Sequence, residues 1–202
     1  MDDNQSNKVV KGRNLTYEGG DSLTAAIRLI NINQPNRFID SRIGVASSDL
    51  FAKVRLKFLK GFSKKHLFEF QPSIYYYLKD GFGQRLFAQY NYAYSKNKQL
   101  RTNLSVRFSQ AFDGYKWKQE NYFLRQIDRR QGYAIGFAIH GENNTTRGFV
   151  ADNYRLSYLY RANVYRKWLY FEVEPFLEWP EEDNYSTTPG IALRIEGYFN
   201  QN

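Results

Sequence analysis

The most regular pattern in the chain is an alternation of apolar and polar residues between Trp168 and Phe199. Leu169, Phe171, Val173, Pro175, Leu177 and Trp179 fall on one face of an extended strand, and Tyr170, Glu172, Glu174, Phe176 and Glu178 on the other. After a turn, Pro189, Ile191, Leu193, Ile195 and Phe199 alternate in the same way with Thr188, Ala192, Arg194, Glu196 and Tyr198. A period of two predicts β-strands, because successive side chains of a strand point to opposite faces. The apolar run from Leu169 to Trp179 covers about 33 Å at roughly 3.3 Å per residue. Tilted by about 40°, that length becomes roughly 25 Å, the usual height of the lipid-facing band of a membrane barrel.

The same alternation recurs along the chain. Leu23, Ala25, Ile27 and Leu29 form a face that ends at Asn33-Gln34-Pro35-Asn36. Ile39, Ser41, Ile43 and Val45 oppose Asp40 and Arg42, and Ala52, Val54, Leu56 and Phe58 oppose Lys53, Arg55 and Lys57. Phe68, Phe70, Pro72, Ile74 and Tyr76 oppose Glu69, Gln71 and Ser73; Leu86, Ala88, Tyr90, Tyr92 and Tyr94 oppose Arg85, Gln89 and Asn91. Leu100, Thr102, Leu104, Val106 and Phe108 oppose Arg101, Asn103, Ser105 and Arg107. Residues 115–128 have no cleanly apolar face. The pattern returns with Tyr133, Ile135, Phe137 and Ile139, then with Tyr154, Leu156, Tyr158 and Tyr160. A further strand is expected over Lys8–Glu18, where the alternation is poor. The predicted fold is all-β: a closed antiparallel up-and-down transmembrane β-barrel of twelve strands, with ten as the alternative, since single-chain bacterial barrels have even counts. Residues 1–7 are expected to form a disordered or periplasmic tail and residues 8–202 the barrel. Pro72 and Pro175 lie mid-strand, where a missing N–H predicts a bulge.

Composition changes this picture little. A mean hydropathy of -0.66 fits a barrel, whose strands show lipid only at every second residue. No run approaches the ~20 apolar residues of a spanning helix. Aromatic residues make up 18% of the chain, with 17 Tyr and 16 Phe, enough to supply girdles at both membrane interfaces. Tyr76, Tyr94, Tyr160, Trp168, Trp179 and Phe199 are the expected girdle residues. With no cysteine, thiol chemistry and thiolate metal sites are excluded. The start Met1-Asp2-Asp3-Asn4-Gln5 lacks the apolar core of a leader, so a mature chain whose leader has been replaced by Met1 is expected.

The charges divide by turn. Ser63-Lys64-Lys65, Lys96-Asn97-Lys98, Arg129-Arg130 and Arg166-Lys167 are basic and fall, by parity, at the periplasmic end of a barrel whose last strand runs inward. Asp80-Gly81, Asp113-Gly114, Glu142-Asn143-Asn144 and Glu181-Glu182-Asp183 fall at the outer end. Along the strands, opposite charges sit on neighbours. Lys53, Arg55 and Lys57 lie beside Glu69; Arg155 and Arg161 lie beside Glu172, Glu174 and Glu178, which adjoin Arg194 and Glu196. Cross-strand pairing of these residues predicts a charge network that fills a narrow lumen. The net charge of +9 is spread over faces and turns rather than clustered, so nucleic acid is not an expected partner.

The stretch from Asp152 to Phe199 resembles the C-terminal end of bacterial outer-membrane β-barrel proteins. The matching features are Tyr154-Arg155-Leu156, the turn Arg166-Lys167-Trp168, the strand Phe171-Glu172-Val173-Glu174-Pro175 and the close Leu193-Arg194-Ile195-Glu196-Gly197-Tyr198-Phe199. The resemblance implies the outer membrane of a Gram-negative envelope, contact with the bilayer and lipopolysaccharide, and insertion by the barrel-assembly machinery, which reads a terminal aromatic. Here Phe199 is followed by Asn200-Gln201-Asn202.

The function expected is non-enzymatic: a narrow, porin-like pore, or a structural envelope component with a periplasmic partner at the basic turns. No metal-ligand spacing or cofactor motif stands out. Two other readings remain open. His140-Gly141-Glu142-Asn143-Asn144 resembles the histidine region of outer-membrane phospholipase A, which implies a lipid hydrolase; that family sets its serine two residues after the histidine, where this chain has Glu142. Alternatively, Lys53, Arg55, Lys57 and the tyrosines belong to a soluble basic β-module that binds nucleic acid or polysaccharide.

Overall fold

A computed structural model describes residues 8–18, 22–34, 36–46, 49–79, 81–165 and 168–197; before residue 36, and at Ala46 and Gly197, it describes the backbone alone. The chain is almost entirely β-strand. The strands are β1 (Lys8–Glu18), β2 (Ser22–Gln34), β3 (Arg37–Ala46), β4 (Asp49–Ser63), β5 (His66–Tyr77) and β6 (Gly81–Ser95), then β7 (Lys98–Ser109), β8 (Phe112–Gln126), β9 (Gln131–Asn144), β10 (Gly148–Tyr165), β11 (Leu169–Pro180) and β12 (Thr188–Gly197). They follow one another in sequence order in a single up-and-down sheet. Each register that is defined is antiparallel. Among the described residues β1 and β12 are not paired, so the sheet order has two ends. The expected tail, residues 1–7, lies outside the described residues.

Two compact units divide the chain. The first comprises the described residues up to Gly61 with Phe68–Ala88 and Ser105–Tyr115; the second comprises Phe62–Leu67, Gln89–Leu104 and the described residues from Lys116 onward.

The alternation in the sequence becomes an inverted burial pattern. On β9, Ala134, Gly136 and Ala138 are buried while Ile135 and Phe137 between them are exposed. Ile74 and Leu104 expose 50% and 47% of their surface, whereas Asp40 exposes 1% and Glu172 4%. Soluble domains bury large aliphatic side chains and hydrate carboxylates. A sheet with the reverse preference suits lipid on its apolar face and an enclosed polar surface on the other. Small residues make that polar surface possible: the Tyr122 ring lies so close over Gly136 that a Cβ there would meet it at 2.6 Å.

Several turns differ from expectation, each because a side chain captures the backbone. The expected turn at Asp113-Gly114 lies instead at Gln110–Ala111, and both residues belong to β8. Ser109 Oγ accepts from the Ala111 N–H (3.2 Å) and Gln110 Oε1 from the Phe82 N–H (2.8 Å), which closes the chain earlier. Likewise β9 continues through Glu142-Asn143-Asn144, and the turn falls on residues 145–147. Asn144 Oδ1 accepts from the N–H groups of Thr146 (3.1 Å) and Arg147 (2.6 Å), a local competitor to the ladder. Pro175 produces no bulge. It stays in register with Ile191 on β12, while pairing with β10 skips Tyr158 and Leu159 and resumes in the same register. The missing proline N–H therefore interrupts the β10 side without shifting it. The register shifts that do occur lie between Ala151 and Asn153, between Asn163 and Tyr165, and between Ile32 and Gln34.

Candidate functional site

In the first unit the polar face of β3 to β7 is strongly basic. Register pairs Asp40 with Arg55 and Arg42 with Lys53 across β3 and β4. Asp40 accepts from both Arg55 and Arg42, the latter at 3.2 Å. Lys53 makes no ion pair among the described residues and has Arg85, Arg55, Arg42 and Asp40 as charged neighbours. Lys57 reaches Glu69 at 2.7 Å, and Gln71 also donates to Glu69. Arg85 donates to Ser105 Oγ (2.7 Å), and Arg107 to the Tyr75 hydroxyl (2.6 Å). Among the described residues this face carries the cations Arg42, Lys53, Arg55, Lys57, Arg85 and Arg107 and the buried acids Asp40, Asp49 and Glu69. A surplus of fixed positive charge on a polar face attracts anions.

Tyr75 anchors this face. Its hydroxyl donates to the Phe108 carbonyl (3.0 Å), its ring lies 5.2 Å from the Arg107 guanidinium, and it rests on Gly83, where a Cβ would come within 2.3 Å of the ring. Only a glycine permits this seat.

In the second unit the polar face of β10, β11 and β12 joins three arginines to four glutamates. Arg155 bonds Glu174 (3.0 Å) and Glu178 (2.9 Å) and stacks on Phe176 at 3.8 Å. Arg161 bonds Glu172 and Glu196, each at 3.0 Å, and lies 4.5 Å above the Tyr170 ring. Arg194 completes the group by bonding Glu172 at 2.8 Å. Register produces these contacts, because Glu172 is the cross-strand partner of Arg161 on one side and of Arg194 on the other. On β8, Lys118 pairs with Glu120 (2.6 Å), which also accepts from Tyr122 (3.0 Å) and Asn103 (3.3 Å).

Lys57 and Glu69, and the set Arg155, Arg161, Glu172, Glu174, Glu178, Arg194 and Glu196, are joined as pairs on strand faces. Lys53 and Arg55 are not joined to Glu69. Asp40 is the partner of Arg55, and nothing local in the sequence sets it apart from any strand aspartate; only the register marks it. Arg85, Arg107, Tyr75 and Glu120 were also missed, the last because β8 shows no alternation to place it.

The proposed girdle residues occupy varied settings. Tyr76 and Tyr94 are exposed. Tyr160 donates to Gln131 Oε1 (2.5 Å), Trp179 Nε1 donates to Thr187 Oγ1 (2.9 Å), and Trp168 meets Tyr165 edge to face at 5.7 Å. Phe199 lies outside the described residues. His140, half-buried, pairs in register with Asn153, and its Nε2 has no hydrogen-bond partner among the described residues. His66 contacts Tyr90 and Tyr92. Among the described residues no group of three His, Asp or Glu side chains could hold a metal ion.

No protein-family model and no curated protein matches the chain. Solved structures that share its fold include a NanC porin in a rhombohedral crystal form, with a TM-score of 0.55 at 7% identity over 95% of this chain and 99% of that one. A KdgM porin aligns with a TM-score of 0.55 at 10% identity over 95% and 97%. A KdgM porin in complex with disordered oligogalacturonate aligns with a TM-score of 0.54 at 12% identity over 88% and 94%. At these identities the likeness is one of fold, and it spans nearly the whole of both chains. The chain has the fold of outer-membrane porins.

Proposed function

We propose that the chain is a non-enzymatic outer-membrane pore whose sheet closes on itself, β12 against β1, with the polar faces lining a narrow aqueous lumen. The observation that carries this reading is the inverted burial pattern, with aliphatic side chains exposed and Asp40, Glu69, Asn91, Asn103, Ser157 and Glu172 buried. The porin fold supports it, and so does the even count that a twelve-stranded closure keeps. Ten strands, with β12 closing on β3, is the alternative. The apolar face meets the bilayer and lipopolysaccharide, Phe199 addresses the assembly machinery, and the basic turns offer a periplasmic partner a surface.

The surplus of cations on the first unit favours anions over cations as permeating solutes. The oligogalacturonate in one porin complex supports an anionic saccharide as a candidate here. Planar-bilayer recording of the refolded protein tests the proposal. Discrete openings with an anion-selective reversal potential under a salt gradient are expected; flat traces over a wide voltage range would sink the pore reading.

A further inference from the structure

The second unit contains a cavity of about 620 Å³ at the strand ends that carry the β6–β7 and β8–β9 turns. That volume lies within the range of small-molecule pockets. Five cations, Lys96, Lys98, Arg125, Arg129 and Arg130, line it. None of the five has an ion-pair partner among the described residues, whereas Arg155, Arg161 and Arg194 on the same unit are all engaged by glutamates. The nearest acid in sequence, Asp128, makes no ion pair with any of the five; its carboxylate accepts from the N–H groups of Arg130 (2.6 Å) and Gln131 (3.0 Å) and from Gln131 Nε2 (2.9 Å). Arg161 and Tyr170 also line the cavity, stacked on each other.

The turns that bear these cations are tied to the sheet. The Gln126 N–H donates to the Asn97 carbonyl (2.8 Å), and the Asn163 N–H donates to the Arg130 carbonyl (2.7 Å). The backbone of these turns is therefore tied to the sheet around the concave volume that the five side chains line. Five cations around one concavity, with Asp128 as the one acid in their turns, leave a net positive site that attracts anions.

We infer that this cavity is a binding site for a soluble oligoanion, one that carries several carboxylates or phosphates spaced along a short chain. Guanidinium groups suit either anion, since both accept their paired N–H donors. The site goes beyond the pore reading, because it binds whether or not the protein conducts.

Isothermal titration of the detergent-refolded full chain tests it, with trigalacturonate and tripolyphosphate as separate probes. Binding of either, weakening steeply as salt rises from 0.05 to 0.5 M by roughly tenfold or more, is expected. If one probe alone binds, that probe identifies the anion chemistry. The triple variant Lys96→Gln, Arg129→Gln, Arg130→Gln is expected to lose affinity by roughly a hundredfold, while Lys79→Gln, on the other unit, leaves it unchanged. Heat-modified mobility on gels establishes that each variant has folded. No binding of either probe, or equal affinity in the triple variant, overturns the site. Channel openings with no binding would refute the site and leave the pore reading standing; binding with flat bilayer traces would do the reverse.

Discussion

Removing the charge of Glu172 tests whether the network on β10, β11 and β12 is a set of unequal links. Glu172 exposes 4% of its surface and holds Arg161 on one side and Arg194 on the other. The side chains of these two arginines are 34% and 61% exposed. Arg194 is therefore largely hydrated, and its arm is worth about 0.2–1 kcal/mol, as for surface pairs. Arg161 is more enclosed, so its arm is worth more, roughly 1–2 kcal/mol. The full 3–5 kcal/mol of a broken buried pair does not apply, because Arg161 keeps Glu196 at 3.0 Å after Glu172 is neutralised. Glu172→Gln should then cost about 2 kcal/mol. Double-mutant cycles with Arg161→Gln and Arg194→Gln, read from urea unfolding in lipid vesicles by tryptophan fluorescence, should give a larger coupling for Arg161. High salt should erase the Arg194 coupling first. A coupling to Arg194 equal to or above that to Arg161, or a total loss under about 0.5 kcal/mol, would refute the reasoning.

Two further perturbations follow from the geometry. Gly83→Ala drives a Cβ into the Tyr75 ring and should cost about 1–3 kcal/mol in the same unfolding assay, whereas Tyr75→Ala should raise single-channel conductance by removing a ring from the enclosed polar face. The N–H of Arg130, and then the Gln131 side chain, hold the Asp128 carboxyl below its ordinary 3.8. Because the folded value is the lower one, the turn gains stability above pH 3.8 and loses it as pH falls through the depressed value; NMR titration should locate that midpoint below 3.8, and Asp128→Asn should flatten the acid limb of the stability profile.

Much of the sheet is legible in the sequence because burial there depends on parity alone. On β4 Ala52, Val54 and Phe58 are exposed and Lys53, Arg55 and Lys57 half-buried, on β9 Ile135 and Phe137 are exposed between buried Ala134, Gly136 and Ala138, and on β11 Pro175 and Leu177 are exposed while Glu172 is buried. Arg155 and Arg161 lie opposite glutamates as spacing suggests. β8 resists reading for a physical reason: Asn121 satisfies Thr102 across the ladder at 3.0 Å, which puts polar groups on the face that carries Leu104. The turns at residues 110–111 and 145–147 moved by a few residues because Ser109, Gln110 and Asn144 capture backbone N–H groups, a choice that composition does not rank. Asp40 and Tyr75 depend on partners fifteen and thirty-two residues away. Only the register brings those partners together.

The central claim is that one face of the sheet meets lipid and the other water. Because the chain has no cysteine, single cysteines at positions 52 to 57 of β4 can carry spin labels without background. In lipid vesicles, accessibility to oxygen should peak at Ala52, Val54 and Leu56, and accessibility to a water-soluble nickel chelate at Lys53, Arg55 and Lys57, with a period of two. Equal accessibility of both sets to the chelate would contradict the account.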